Sequence, residues 1–168
     1  MGIPSGYTSA QVVQAVPTGI GVVQQVATQT GTVATGTTTI PFDNTIPQNT
    51  EGDQYMSVSI TPTSATNILV INVIACCGNT IANTMAMALF QDSTANALAT
   101  VNIYQTTGTG GLTIPLNHRM TAGTTSATTF KIRIGALGAS TTSFNGNSGA
   151  SYYGGTFASS IIITEIKL

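Results

Sequence analysis

Short runs of alternating apolar and polar residues, separated by turn-forming residues, fill this chain from residue 55 to its end. Met56, Val58 and Ile60 alternate with Tyr55, Ser57 and Ser59, the period-2 signature of a strand with one buried face. Residues 67–75 are apolar in both phases, Leu69, Ile71 and Val73 interleaving with Ile68, Val70 and Ile74. That pattern predicts a central strand covered on both faces. Residues 84–91 set Met85, Met87 and Leu89 against Ala86, Ala88 and Phe90, then turn at Asp92-Ser93. Another strand is expected over 98–104, closed by the loop Gly108-Thr109-Gly110-Gly111. Leu112, Ile114, Leu116 and His118 share a face of the next, and Phe130, Ile132 and Ile134 point inward between Lys131 and Arg133. A β-branched run over 157–166 ends the series. The competing reading, a helix over 85–104, would place Asp92, Ser93, Thr94 and Asn96 in its interior, where such side chains compete for backbone hydrogen bonds. Strands recurring at intervals of about a dozen residues, with Gly, Asn, Ser or Pro between them, predict an all-β fold. The architecture expected is an antiparallel β-sandwich, jelly-roll-like.

The first 36 residues have a different texture. Val/Gln strands at 11–16 and 20–26 are broken at Pro17 and Gly19, and Thr28–Thr39 is a Thr/Gly run without an apolar face. Such a segment cannot bury a core of its own, so residues 1–36 are expected to form an extended arm. The arm would pair with a neighbouring chain or dock on a partner, and residues 37–168 would form the sandwich. Val12, Val13, Val16, Val22, Val23 and Val26 are the candidate docking side chains.

Composition narrows the function. With 168 residues the chain holds one domain's worth of core. Four Lys+Arg against five Asp+Glu give a net charge of −1, and only 5% of residues are charged; ordinary globular proteins carry roughly 25%. No basic face for nucleic acid can be built from that inventory. At 42% hydrophobic residues, with abundant Val, Ile and Thr, disorder is excluded. No apolar run approaches the ~20 residues of a membrane helix. The start Met1-Gly2-Ile3-Pro4-Ser5-Gly6 lacks the basic flank and apolar core of a secretion signal, so synthesis in the cytoplasm is expected. So little charge beside a mean hydropathy of +0.28 predicts a symmetric homo-oligomer, because charged residues are depleted where chains meet.

Candidate chemistry is sparse. Adjacent Cys76 and Cys77 point to opposite faces of a strand and read as free thiols; with one His they cannot close a zinc site. His118 has no Gly-x-Ser-x-Gly nucleophile to serve and reads as a packed residue. Asp43, Glu51 and Asp53 are close in sequence and offer oxygen ligands to Ca²⁺, but not at EF-hand spacing; they read as solvated loop acids. Gly108–Gly111 is followed by no Lys-Ser/Thr, so it is no phosphate loop. Asn145, Asn147, Tyr152 and Tyr153 stand in a Gly-rich stretch and are candidates for a receptor or glycan loop, the alternative being tyrosines packed at a subunit seam. The expectation is a non-enzymatic protein without cofactor or metal.

The stretch Thr37-Thr38-Thr39-Ile40-Pro41-Phe42-Asp43-Asn44-Thr45-Ile46-Pro47-Gln48-Asn49-Thr50-Glu51-Gly52 resembles a segment of tailed-bacteriophage virion proteins. The turn Thr61–Thr66, the strand Phe130–Arg133, the turn Phe144-Asn145-Gly146 and the closing run Ser159–Ile166 are similar to that family too. The resemblance spans residues 37 to 168. It implies a trimeric jelly-roll-like domain on the outside of a particle, made in the host cytoplasm. Two placements follow from it. One is a capsid decoration (cement) protein or head fibre docked through residues 1–36 on the major capsid protein or another virion protein. The other is a tail-fibre tip binding a host-surface glycan or protein. The short chain, without a shaft, favours decoration. On this reading, removal of residues 1–36 leaves a folded trimer that no longer binds particles.

Overall fold

Twelve strands and one 3-10 turn, Tyr153–Gly155, make up the regular structure in the computed structural model, which describes Gly19 and residues 21–167. The strands are β1 (Gly21–Thr30), β2 (Ala34–Gly36), β3 (Asp53–Ile60), β4 (Ile68–Asn79), β5 (Asn83–Gln91), β6 (Ala99–Gln105), β7 (Leu112–Thr121), β8 (Thr128–Ala136), β9 (Thr142–Phe144), β10 (Gly146–Asn147), β11 (Ala150–Ser151) and β12 (Ser159–Lys167). Eight long strands form two antiparallel sheets, ordered β1-β12-β4-β7 and β3-β8-β5-β6. Numbered by chain order among these eight, the sheets read 1-8-3-6 and 2-7-4-5. That is the strand order of two Greek keys wound into a jelly roll. The short strands β9 and β2 extend the first sheet beyond the first residue of β12: β9 pairs with Cys77, Gly78 and Asn79, and β2 pairs with β9.

The inward faces are those the alternation marks. Leu69, Ile71 and Val73 of β4, Ile161 and Ile163 of β12, and Ile114 and Leu116 of β7 meet Met85, Met87 and Leu89 of β5 and Phe130, Ile132 and Ile134 of β8. All are buried, and interdigitated apolar surface of this kind supplies most of a sandwich's stability. β5 is covered on both faces because Ile40 packs over its outer residues Ala86, Ala88 and Phe90. β4 differs from expectation. Its second face is only partly covered, with Val70 and Asn72 half-buried and Ile74 exposed. No layer lies over that side of the first sheet among the described residues.

The segment 37–52 crosses the outer face of the second sheet as a strap. Ile40 N–H donates to the Ala136 carbonyl at 3.1 Å, and Asn49 N–H to the Ala95 carbonyl at 2.8 Å. Gly135 lets the strap pass this closely: a Cβ there would stand 2.6 Å from the Thr38 carbonyl oxygen. Arg133, outward on β8, donates to the carbonyls of Glu51 (2.8 Å) and Gly52 (2.6 Å). The guanidinium thus holds the strap's return where it enters β3.

The N-terminal boundary needs correction. Residues 21–30 are not an arm outside the sandwich. They are the first jelly-roll strand, paired with β12 from Gly21↔Lys167 to Thr30↔Ser159, and Ala34–Gly36 is β2. The Thr/Gly composition that argues against a core strand is tolerated because β1 is an edge strand, with alternate residues half-buried and the others facing solvent. Val12, Val13 and Val16 lie outside the described residues.

Candidate functional site

Register places Thr30 beside Ser159, Cys77 beside Leu112 and Asn79 beside Thr142. The connections 80–82, 106–111 and 137–158 therefore gather at one end of the sandwich. Amides and hydroxyls, not charges, organise this end. Asn145, in left-handed backbone at φ 57°, donates from Nδ2 to the carbonyls of Thr30 (2.8 Å) and Thr32 (3.0 Å). Its Oδ1 accepts from Ser159 Oγ at 2.6 Å, and that hydroxyl oxygen accepts from Cys76 N–H at 2.8 Å. Asn147 donates to the Gly110 carbonyl at 2.7 Å. Gln105 and Asn79 exchange two bonds, Asn79 N–H to Oε1 (2.9 Å) and Nε2 to the Asn79 carbonyl (2.8 Å). Among the described residues no buried side-chain polar atom lacks a partner.

This geometry separates the four loop candidates. Asn145 and Asn147 are buried and their amide donors are spent on backbone carbonyls. They are structural keystones rather than ligand-facing groups, a correction whose cause is that the carbonyls of Thr30, Thr32 and Gly110 in the neighbouring connections need donors. Tyr152 is half-buried, edge-on to Phe157 at 5.9 Å. Tyr153 is 81% exposed in left-handed backbone at φ 50°, its ring 6.2 Å from that of Tyr152. An exposed aromatic held in a costly conformation on a fixed loop can fill a partner's pocket or stack on a ring.

The remaining candidates separate too. Asp43 accepts from Thr45 N–H (2.8 Å) and Oγ1 (2.6 Å), which lowers its pKa. Glu51 accepts from Gln48 N–H at 2.9 Å. Asp53 accepts from Thr38 N–H (2.9 Å) and Oγ1 (2.8 Å). The three carboxylates fix three separate points of the strap and do not converge. Among the described residues no group of three or more His, Cys, Asp or Glu is placed to hold a metal. His118 lies half-buried on β7 opposite Ile71, and partial burial lowers its pKa. Cys76 and Cys77 are free and buried; burial pushes the Cys77 thiol up to about 12. Val26 packs against the core, whereas Val22 is 68% and Val23 41% exposed.

Sequence reasoning passed over Glu165. Its side chain is buried at the opposite end of the sandwich, in phase with Ile161 and Ile163. The carboxylate accepts from Gln24 Nε2 (2.6 Å), Asn67 Nδ2 (2.6 Å), Thr63 N–H and Thr63 Oγ1 (both 2.8 Å). Burial alone would raise its pKa, but the bonds from Gln24, Asn67 and Thr63 outweigh that and hold it at about 2. Gln24 also donates to the Thr61 carbonyl at 2.8 Å, so this one acid clamps β1, β12 and the β3–β4 turn together.

Large apolar side chains stand on the outside at several places. Ile74 is on the outer face of the first sheet, Phe42 (65% exposed) and Ile46 on the strap, and Tyr104 (61%) and Leu137 on the second sheet. Tyr104 pairs with Thr84, whose carbonyl accepts from Leu137 N–H, so these two form one row beyond the strap. A depression of about 420 Å³ lined by Thr94, Ala95, Asn96, Ala97 and Leu98 holds no titratable group.

The fold and its loops define an all-β jelly-roll domain. No protein-family model matches the chain, and no curated protein matches it. Among solved structures, the infectious bursal disease virus Gx strain aligns at 10% identity and TM-score 0.39, over 86% of this chain and 40% of that one. The T=1 particles derived from infectious bursal virus align at 14% identity and TM-score 0.40, over 86% and 38%. The enzymatically active domain of bacteriophage CBA120 tailspike protein 4 aligns at 16% identity and TM-score 0.30, over 73% and 19%. The chain thus spans about two fifths of the bursal-virus chains and about a fifth of the tailspike. At these scores the likenesses carry no argument about function, and the jelly roll rests on the strand order itself.

Proposed function

We propose that this chain is a non-enzymatic structural protein on the outside of a bacteriophage particle, a homotrimeric capsid decoration protein or head fibre. The observation that carries the reading is the surface of the lone chain. Ile74 on the first sheet and Phe42 and Tyr104 on the outer side of the second are more than two fifths exposed, on a protein with nine charged residues, four basic and five acidic. Single exposed apolar side chains are ordinary on a monomer; the shortage of charge is what sets this surface apart, because charged residues are depleted where chains meet. The resemblance of the strap and its following strands to phage virion proteins supplies the particle. Binding would come from buried area multiplied by symmetry, each copy adding contacts that are weak alone.

The second reading, a tail-fibre tip that meets a host-surface glycan or protein, draws on Tyr153, whose ring projects from the loop end. The oligomer is tested directly by light scattering of the purified full chain. A mass three times that of one chain is expected at micromolar concentration, and a monomer there would remove the oligomeric part of the proposal.

A further inference from the structure

The chain carries the strand motif of β1 twice. Val12-Val13-Gln14-Ala15-Val16-Pro17-Thr18 precedes Val22-Val23-Gln24-Gln25-Val26-Ala27-Thr28 by ten residues, and five of the seven positions are identical (Val, Val, Gln, Val and Thr). The second copy of the motif is the outermost strand of the first sheet. One side of β1 pairs with β12, and among the described residues no backbone group pairs with the other.

That edge is open in a chemical sense as well. Residues 21–30 contain no charged residue and no proline, so two of the devices that usually blunt an exposed edge are missing. Its one irregularity is a bulge between Val22 and Gln24, after which the register with β12 runs unbroken to Thr30. Val22 and Val23 stand 68% and 41% exposed where the edge begins. The side chain of Gln24 is committed to Glu165 and Thr61, which leaves the main chain as the recognition element, as in strand addition.

We propose that the free edge of β1 takes residues 12–18 of a second copy of this chain as an added, parallel, in-register strand. The proposal rests on the homo-oligomeric reading above and names the surface through which copies join. The repeat chooses the orientation. In parallel register Val12 falls beside Val22, Val13 beside Val23, Gln14 beside Gln24 and Val16 beside Val26, like beside like. An antiparallel hairpin within one chain, with residues 17–20 as its loop, would set Val13 opposite Gln24 and Gln14 opposite Val23. The connection then chooses the donor. Only residues 19–21 separate the two motifs, whereas parallel neighbours in one chain need a crossover of about a dozen residues or more. The strand must therefore come from another copy. Pro17 falls beside Ala27, and on an outermost strand its missing N–H can face solvent.

Cysteine pairs in the full-length chain test this, since Cys76 and Cys77 are buried and adjacent strands bring facing Cα atoms within disulfide reach. The variant Ala15→Cys/Gln25→Cys joins residues that are neighbours only in the parallel register between chains. The variant Val12→Cys/Gln25→Cys joins residues that are neighbours only in the hairpin. On mild oxidation most of the first variant is expected as between-chain disulfides on a non-reducing gel, and the second is expected to stay uncrosslinked. A within-chain disulfide in the second variant, or no between-chain product from the first, overturns the proposal. The mass of the unsubstituted chain separates the two failures. An assembled parent with no cross-link in Ala15→Cys/Gln25→Cys rejects the β1 edge alone, whereas a monomeric parent rejects the homo-oligomer and the edge pairing together.

Discussion

A chain shortened to begin at Thr37 is expected to lose cooperative folding altogether. The deletion removes β1, whose pairing with β12 spans Gly21 to Thr30, and β2, which covers β9. It strips Val26 from the core and takes Gln24 from the buried Glu165 carboxylate. It also leaves Asn145 without the Thr30 and Thr32 carbonyls that its amide bridges. Each buried polar group left unpaired costs about 1–3 kcal/mol, and the lost strand adds the apolar area it covered. Folded domains hold only about 5–15 kcal/mol in total. Thermal unfolding followed by circular dichroism checks this: a sharp transition for the full chain and none for the shortened one. A cooperative transition in the shortened chain would show that β1 is dispensable after all.

Replacing Glu165 by Ala is expected to destabilise the domain by about 3 kcal/mol or more, because donors from Gln24, Thr63 and Asn67 lose their shared acceptor. The same carboxylate makes stability depend on pH. Its folded pKa of about 2 lies below its ordinary value of 4.5, so the folded state binds this proton less readily than the unfolded one. The contribution is fully present above pH 4.5 and fades as the pH falls from there toward 2. Denaturant unfolding at a series of pH values should show that decline in the parent chain and a flatter profile in Glu165→Gln. An equally steep decline in the variant would assign the acid sensitivity elsewhere.

Seven of the eight long strands were legible because each is long enough to alternate and faces a common core, as the Phe130, Ile132 and Ile134 series of β8 illustrates. What periodicity could not show was where an uncharged stretch is used. β1 has too few apolar residues to declare a buried face, since its inner positions include Gln24, Thr28 and Thr30, yet an edge strand requires no more. The apolar second face of β4 suggested a covering layer; Ile74 is left open instead, because apolar content alone does not say that a covering layer exists.

The loop end taught a related lesson. Asn145 and Asn147 stand in the sequence as candidate ligand contacts, and only their distances to the carbonyls of Thr30, Thr32 and Gly110 assign their amides to the backbone. Glu165 did leave a signal. It is an acid in phase with Ile161 and Ile163, and an inward-pointing acid in a strand requires several donors. The carboxylates of the strap, by contrast, sit close in sequence while serving separate turns.

Whether this chain coats the outside of a phage particle is read by counting it in purified virions against the major capsid protein with quantitative mass spectrometry. An abundance comparable to that of the shell protein is expected of a decoration protein. A few copies per particle would contradict decoration and move the chain to a fibre tip, where Tyr153 becomes the first residue to probe; absence from the particle would contradict the virion role itself.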